Sequence, residues 1–152
     1  MPLDATDLRI LRALQDNPEG SMEEIGRVAG LSHTPCWRRI RRMQDEGVIK
    51  GRRYEFDARA IGLTITVITM IKLVRQDKTS LEAFEAEAGR IAEITECYLV
   101  TGQYDFALTI LTRDIESFET LLKTRLSGLP HVADMNSTVV LRKSKGGGRL
   151  PI

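Results

Sequence analysis

Apolar residues recur every three or four positions in the first third of the chain, and this spacing predicts three helices. The first covers residues 4–16, with Asp4 at its N-cap and Asp7 placing a carboxylate in the positive first turn. Its predicted inner stripe is Leu8, Leu11 and Leu14. The sequence Asn-Pro-Glu-Gly at 17–20 ends the helix.

A second, short helix is indicated by Ser21 and Glu24, which have the S-x-x-E spacing of a capping box. Gly30 follows it and can adopt the positive φ with which many helices end. The apolar face of this helix is predicted to comprise Met22, Ile25, Val28 and Ala29. That face would pack against the first helix.

A third helix follows at once, beginning at Ser32 or Thr34, with Pro35 in its first turn where the missing N–H costs little. Residues placed 100° apart fall on two faces. The inner face is Cys36, Ile40 and Met43. The outer face is Thr34, Arg38, Arg41 and Asp45, with Arg42 beside them and Trp37 and Arg39 on the flanks. Such a basic helix after a short turn is typical of the recognition helix of a helix-turn-helix protein.

The stretch after the third helix, residues 49–56, is predicted to be extended and to form a small β wing. It carries three further cations, Lys50, Arg52 and Arg53. Residues 1–56 are therefore interpreted as a winged helix-turn-helix DNA-binding domain, and residues 57–63 as a linker.

From residue 64 the pattern changes to β-branched residues in rough alternation, which predicts strands. The predicted order is strand 64–74, helix 80–91, strands 96–101 and 106–112, helix 114–127 and strand 134–143. The order β-α-β-β-α-β is that of a ferredoxin-like sandwich, so the fold class is α+β. This domain, residues 64–143, has edge strands and one uncovered face, which favour association. Residues 144–152 contain three consecutive glycines and are expected to be a flexible tail.

Composition is that of a globular protein, 42% hydrophobic and 28% charged, which excludes wholesale disorder. The net charge of +1 hides an asymmetry. Residues 33–53 hold seven basic and two acidic residues, a net of +5, whereas residues 76–119 hold ten acidic and three basic residues, a net of −7. The basic part suits a polyanion such as DNA, and the acidic part must have another role.

Several functional classes lack support in the sequence. No apolar stretch approaches the ~18 residues of a membrane span, and no signal peptide is expected, so a cytoplasmic location is predicted. Cys36 and Cys97 are expected to be buried small hydrophobes rather than a disulfide. With His33 and His131 they lack the spacing of a zinc site, and no catalytic motif is found. We expect no enzyme, no cofactor and no metal.

A set of short motifs, weak singly but specific in this order, covers residues 3–143. The motifs are Leu3-Asp4-x-x-Asp7, Gly30-Leu31-Ser32-x-Thr34-Pro35-Cys36, Glu46-Gly47-Val48-Ile49, Glu96-Cys97, Val100-Thr101-Gly102-x-x-Asp105 and Leu129-Pro130-x-Val132. The chain thereby resembles the leucine-responsive regulator/AsnC (Lrp/AsnC) family, the feast–famine regulators of bacteria and archaea. The resemblance implies a transcription regulator that forms homodimers through paired sheets and assembles to an octamer.

The resemblance also implies that the connection from Gly102 to Asp105 helps to bind a small effector, typically an amino acid, at a junction between dimers. Backbone N–H groups would hold its carboxylate, and Asp105 would accept from its ammonium. The implied site residues are Leu99, Thr101, Gly102, Gln103, Tyr104, Asp105, Ser137 and Val139. Gln103 departs from the family, where an acidic residue is common. From the residues alone, a plain hairpin turn is the favoured interpretation, because Gly and Asp are common turn residues.

On the DNA side, Arg38 and Arg41 are the candidates for base edges, because arginine pairs bidentately with guanine. Arg42, Lys50, Arg52 and Arg53 are interpreted as phosphate contacts, which position the protein without reading sequence. The remaining candidates at the start of the helix are Ser32, His33, Thr34 and Trp37. Ser32 is either a helix cap or a phosphate ligand, and Trp37 either partial core or a DNA contact. Two alternatives stay open, an effector-independent architectural DNA-binding protein and an amino-acid-binding oligomer whose helix-turn-helix is inactive.

Overall fold

A computed structural model describes residues 2–146 and 148–152 and divides the chain into two compact units. One unit comprises Met1–Glu55 with Lys145–Ile152, and the other comprises Phe56–Ser144. Met1 of the predicted first domain and Gly147 of the predicted tail lie outside the described residues.

The first unit contains the three predicted helices, α1 (Ala5–Asp16), α2 (Met22–Ala29) and α3 (His33–Asp45). Both α1 and α2 begin with a capping box, formed by Asp4 with Asp7 and by Ser21 with Glu24, as the sequence predicts for α2. Gly30 ends α2 in the left-handed conformation, at φ 74°, which confirms its predicted role.

The buried seams of these helices form one core, but two predicted positions are wrong. The core comprises Ile10, Ala13, Ile25, Ala29, Cys36, Ile40 and Met43. On α1 the innermost row is Asp7, Ile10 and Ala13, and Leu8 is only partly buried. On α2 Val28 is 67% exposed, because the short helix turns Ile25, Gly26 and Ala29 inward. Gly26 is needed there, since a Cβ would lie 2.8 Å from the carbonyl oxygen of Leu31.

Residues 49–56, which the sequence predicts as the wing, are all described and form no strand within the single chain. The N–H of Ile49 donates to the carbonyl of Met43 (3.0 Å) and so completes the end of α3. Tyr54 and Phe56 are exposed. A strand needs a partner for its backbone groups, and this unit provides none for the segment.

The tail shares a unit with the helices. The N–H of Leu150 donates to Oε1 of Gln15 (2.6 Å), and Arg149 pairs with Asp16. The flexibility expected of residues 144–152 stays a prediction, as do the domain boundaries drawn from the sequence.

The second unit has the element order β-α-β-β-α-β, which confirms the predicted ferredoxin-like fold. Its elements are β1 (Ile65–Leu73), α4 (Lys78–Ala88), β2 (Ile94–Leu99), β3 (Phe106–Thr112), α5 (Ile115–Thr124), a 3-10 turn (Leu126–Gly128) and β4 (Val132–Val139). All neighbouring strands are antiparallel, in the order β2-β3-β1-β4. β4 begins and ends earlier than the predicted 134–143.

Both helices of this unit lie on one face of the sheet. Phe84 of α4 and Phe118 of α5 join Val67, Phe106 and Leu108 in one buried cluster, and the rings of Phe84 and Phe106 stack at 4.5 Å. Alternate strand residues point to the opposite face, where Ile68 and Tyr98 are exposed. In the part of the chain that the structure describes, no helix combines the length and the apolar character needed to cross a bilayer.

Candidate DNA-binding surface and effector site

The outer face of α3 lies where the helical phasing predicts it. Cys36, Ile40 and Met43 are buried against the core, and Arg38 and Arg41 are exposed. Arg41 contacts Asp45 one turn away, at 3.6 Å, and both side chains are more than 60% exposed. Such an exposed pair contributes roughly 0.3–0.5 kcal/mol, so it leaves the guanidinium of Arg41 available to a ligand.

The start of α3 is open to solvent. Ser32 occupies the N-cap position, but its hydroxyl makes no capping hydrogen bond, so the interpretation of Ser32 as a side-chain cap is wrong. His33 and Thr34 are exposed beside it. Trp37 is 52% exposed and therefore lies mainly outside the core.

Two arginines of α3 do not face solvent freely. Arg39 donates through one Nη to Oδ2 of Asp4 (2.6 Å) and Oδ1 of Asp7 (2.8 Å). Arg42 donates to Oδ2 of Asp7 at 2.6 Å. The structure thus places Arg42, interpreted from the sequence as a phosphate contact, in an ion pair with a carboxylate that is 1% exposed. The sequence interpretation missed this pairing.

The same contacts shift the titration of both carboxyls. Arg39 and the N–H groups of the first helical turn lower the pKa of Asp4 from 3.8 to about 2. Burial opposes ionisation of Asp7, but hydrogen bonds from Arg39, from the N–H of Asp4 and from Arg42 outweigh it and lower the pKa of that carboxyl. Both groups are therefore anionic at neutral pH.

The remaining predicted cations, Lys50, Arg52 and Arg53, lie in the extended segment after α3, and all three are exposed. Together with Arg38 and Arg41 they place five exposed cations on the outer face of α3 and the segment that follows it. The electrostatic attraction of a polyanion depends on the number of these charges more than on the position of any one of them.

In the second unit, the connection from Thr101 to Asp105 joins the strands of the β2–β3 hairpin. Gly102 has φ 116°, a conformation that favours glycine. Thr101, Gly102 and Gln103 are exposed, and Tyr104 is partly buried. The N–H of Asp105 donates to the carbonyl of Ile71 at 2.8 Å, which ties the connection to the end of β1.

Asp105 faces inward and its carboxylate is already occupied. Oδ2 accepts from the buried N–H of Leu73 (2.8 Å), and Oδ1 accepts from Gln76 Nε2 (2.7 Å) and Lys72 Nζ (3.3 Å). Burial opposes its ionisation, but these donors outweigh burial and lower the pKa of the carboxyl. The carboxylate that the resemblance implies as an acceptor for an ammonium group is therefore engaged by three donors of the same chain. Asp105 fixes the connection to β1.

The other predicted effector residues are not gathered in one place. Leu99 ends β2 at one edge of the sheet, whereas Ser137 and Val139 lie on β4 at the opposite edge. Three strand spacings separate these edges, about 14 Å. Ser137 contacts Thr69 instead, with the two hydroxyl oxygens 2.9 Å apart. One copy of the chain does not assemble the predicted pocket.

The two cysteines are both free but differ in exposure. Cys36 is fully buried in the helical core, as expected, and burial raises the pKa of its thiol. Cys97 is exposed on the edge strand β2, so its predicted burial is wrong. Among the described residues, no three His, Cys, Asp or Glu side chains cluster as a metal site requires.

Two models of known protein families match the two units. Residues 3–50 match a winged helix-turn-helix DNA-binding domain, and residues 66–150 match the Lrp/AsnC ligand binding domain.

Individual proteins agree with these matches. The chain is 37% identical to the leucine-responsive regulatory protein of Haemophilus influenzae, over 94% of this chain and 86% of that protein. It is 33% identical to the proline dehydrogenase transcriptional activator of Rhizobium radiobacter, over 96% of this chain and 94% of that one. Both relatives are regulators rather than enzymes.

Solved structures share the fold along almost the whole chain. A transcriptional regulator from Neisseria meningitidis, solved as a complex with L-methionine, superposes with a TM-score of 0.90 at 27% identity, covering 99% of this chain and 97% of that one. An AsnC family regulator from Agrobacterium tumefaciens has a TM-score of 0.90 at 28% identity, covering 98% and 97%.

Proposed function

The chain belongs to the Lrp/AsnC family of transcriptional regulators, and from this premise we propose that it binds double-stranded DNA through the outer face of α3 and responds to a small effector, an amino acid. The observation that carries the proposal is the separation of α3 into two faces. Its inner seam is fully packed, and its outer face presents Arg38 and Arg41 beside an open helix N-terminus.

In the proposed complex α3 lies in the major groove. Arg38 and Arg41 contact base edges, where a bidentate arginine–guanine pair contributes roughly 1–3 kcal/mol of discrimination. Ser32, His33, Thr34 and Trp37 lie at the leading end of the helix, close to the backbone and the first bases. Lys50, Arg52 and Arg53 contact phosphates and supply affinity that does not depend on sequence.

The test is DNA binding by fluorescence anisotropy with a duplex from the region upstream of the protein's own gene. Arg38→Ala and Arg41→Ala should each weaken binding by roughly tenfold or more, the size of one lost base contact. Arg90→Ala is the matched control, because Arg90 is an exposed arginine of the second unit. Equal affinity of the two α3 variants and the parent would refute the assignment of the face.

We propose the effector site at the Thr101–Tyr104 connection, completed by a second copy of the chain. Three observations support this. The second unit matches a ligand binding domain, and the Neisseria relative was solved with L-methionine. In addition, Leu99 lies at the opposite sheet edge from Ser137 and Val139, so only another copy could bring such residues together. Backbone N–H groups around Gly102 would hold the carboxylate, and Asp105 positions the connection.

A thermal-shift screen of the twenty amino acids tests this site. One or more should raise Tm, since a ligand that binds only the folded state stabilises it. Thr101→Val removes an exposed hydroxyl at the connection with little change of volume and should reduce that shift. Thr120→Val makes the same change on the outer side of α5 and should leave it unchanged. A shift unaffected by Thr101→Val would place the ligand elsewhere.

The proposal includes a cytoplasmic homodimer that assembles to an octamer. The uncovered face of the β2-β3-β1-β4 sheet, with Ile68 and Tyr98 exposed, supports association. A dimer would present two copies of α3 to half-sites about one DNA turn apart. Light scattering coupled to gel filtration measures the assembly, and a monomer at micromolar concentration would contradict it.

A further inference from the structure

We propose that Asp7, together with Asp4, determines DNA specificity by positioning the arginines of α3. The pair holds Arg39 and Arg42 away from the DNA phosphates. It also fixes α3 so that Arg38 and Arg41 are presented to the bases in one orientation. The inference rests on the proposed DNA-binding role of α3.

The geometry is that of a clamp made of two carboxylates and two guanidinium groups. Arg39 and Arg42 are three residues apart and so lie on one side of α3. Asp7 contacts both arginines, at 2.8 Å and 2.6 Å, and Asp4 contacts Arg39 at 2.6 Å. Asp7 is 1% exposed, whereas the arginines are 30% and 33% exposed, so the clamp sits at the rim of the core.

The clamp is built into the start of α1. Asp4 Oδ1 caps the helix by accepting from the N–H groups of Thr6 and Asp7, both at 2.8 Å. Asp7 Oδ2 accepts from the N–H of Asp4 (3.1 Å) as well as from Arg42. Any rotation of α3 that moved its arginines would therefore break their ion pairs with two carboxylates that the cap of α1 holds in place. This coupling fixes the rotation of α3 about its own axis.

The clamp also determines which arginine side chains of α3 are available to contact DNA. Of the four arginines on α3, two are neutralised within the unit and two remain exposed. An arginine that reaches a phosphate adds affinity for any sequence, whereas one that reaches a base edge adds discrimination. Holding Arg39 and Arg42 back thus lowers non-specific binding and leaves specific binding intact. Specificity depends on the ratio of the affinity for the specific site to the affinity for other sequences.

The test uses the full chain and two labelled duplexes, the upstream region and a scrambled sequence of equal length and composition. For each variant, binding constants over a series of KCl concentrations give the slope of log K against log salt. Asp7→Asn should steepen the slope by about 0.9 for each released arginine that reaches a phosphate. It should also tighten binding to the scrambled duplex and lower the specificity ratio by about tenfold, the size of one lost base contact.

Two comparisons distinguish release of the arginines from a general gain of charge. Glu19→Gln makes the same change in net charge at an exposed position between α1 and α2, and it should leave the slope unchanged. In the parent, Arg42→Gln should not change the slope, because the clamped side chain, which pairs with Asp7, contacts no phosphate. In the Asp7→Asn background the same substitution should remove about 0.9. A purely structural Asp7 would not produce this dependence on background.

The outcomes separate the inference from the function on which it rests. A folded Asp7→Asn variant with the parent's slope and specificity ratio would overturn the inference alone. A parent that binds neither duplex would overturn the proposed function and the inference with it. If Asp7→Asn does not fold, the Arg39→Gln/Arg42→Gln double variant takes its place, because glutamine keeps an N–H donor for the carboxylates of Asp4 and Asp7. Clamped arginines contact no phosphate, so the slope should stay at the parent's value, and a slope shallower by about 0.9 or more would overturn the inference.

Discussion

Replacement of Asp105 by alanine should destabilise the second unit strongly, whether or not a ligand is present. The substitution removes the acceptor of the buried Leu73 N–H and of two further donors, Lys72 and Gln76. A buried N–H left without an acceptor costs about 1–3 kcal/mol, and a hydrogen bond to a charged group contributes about 1.5–3 kcal/mol. Lys72 is one-third exposed, so its ion pair adds little.

These contributions overlap, and we expect a loss of about 2–4 kcal/mol in the free energy of unfolding. For a unit of this size, a loss of that order lowers Tm by about 10 °C or more. Urea unfolding followed by circular dichroism measures the free energy, and scanning calorimetry measures Tm. Asp134→Ala is the control, because Asp134 is an exposed carboxylate on β4 paired in register with Lys72. It should cost less than about 0.5 kcal/mol.

The reasoning would be refuted if Asp105→Ala unfolded at the same urea concentration as the parent while losing its response to an amino acid. Asp105 would then be a ligand contact, as the family resemblance implies, rather than an internal anchor. Loss of stability in the absence of ligand is the result expected from its three donors.

Three further perturbations follow from particular contacts. Phe84→Ala should cost about 3–5 kcal/mol by urea unfolding, since it removes a fully buried ring stacked on Phe106. Gly26→Ala should destabilise the first unit by about 1–2 kcal/mol in the same assay, because the new Cβ would meet a backbone carbonyl at 2.8 Å and overpacking outweighs the gain in helix propensity. The lowered pKa values of Asp4 and Asp7 stabilise the fold fully above the unfolded value of 3.8. This effect is lost as pH falls through the lowered folded-state pKa values, of which that of Asp4 is about 2. Unfolding midpoints at about pH 5 and about pH 3 should therefore differ less in Asp7→Asn than in the parent.

Local patterns predicted most of the architecture. The S-x-x-E spacing at Ser21 predicted the start of α2, and the 100° phasing of α3 predicted that Ile40 is buried and Arg41 exposed. These two predictions succeeded because each feature depends only on residues that are neighbours in the chain. The alternation in residues 64–74 predicts β1 within one residue at each end. The order of such elements was sufficient to identify the ferredoxin-like fold.

What the sequence did not predict depends on residues distant in the chain. Asp7 was interpreted through its own helix, but its partners lie 32 and 35 residues away. The signal that could have revealed them is an acidic pair three apart, Asp4 and Asp7, facing a basic pair three apart on another helix of the same small domain. Asp105 was interpreted as open for the same reason, since the Leu73 N–H that it accepts from belongs to another strand.

The most direct test of the central claim, that the outer face of α3 reads DNA sequence, is the ratio of affinities for the upstream and scrambled duplexes in an Arg38→Gln/Arg41→Gln double variant. We predict that the parent prefers the upstream duplex and that the double variant binds both duplexes equally. The variant should retain its remaining salt-dependent binding through Lys50, Arg52 and Arg53. A double variant with the parent's preference for the upstream duplex would contradict the account.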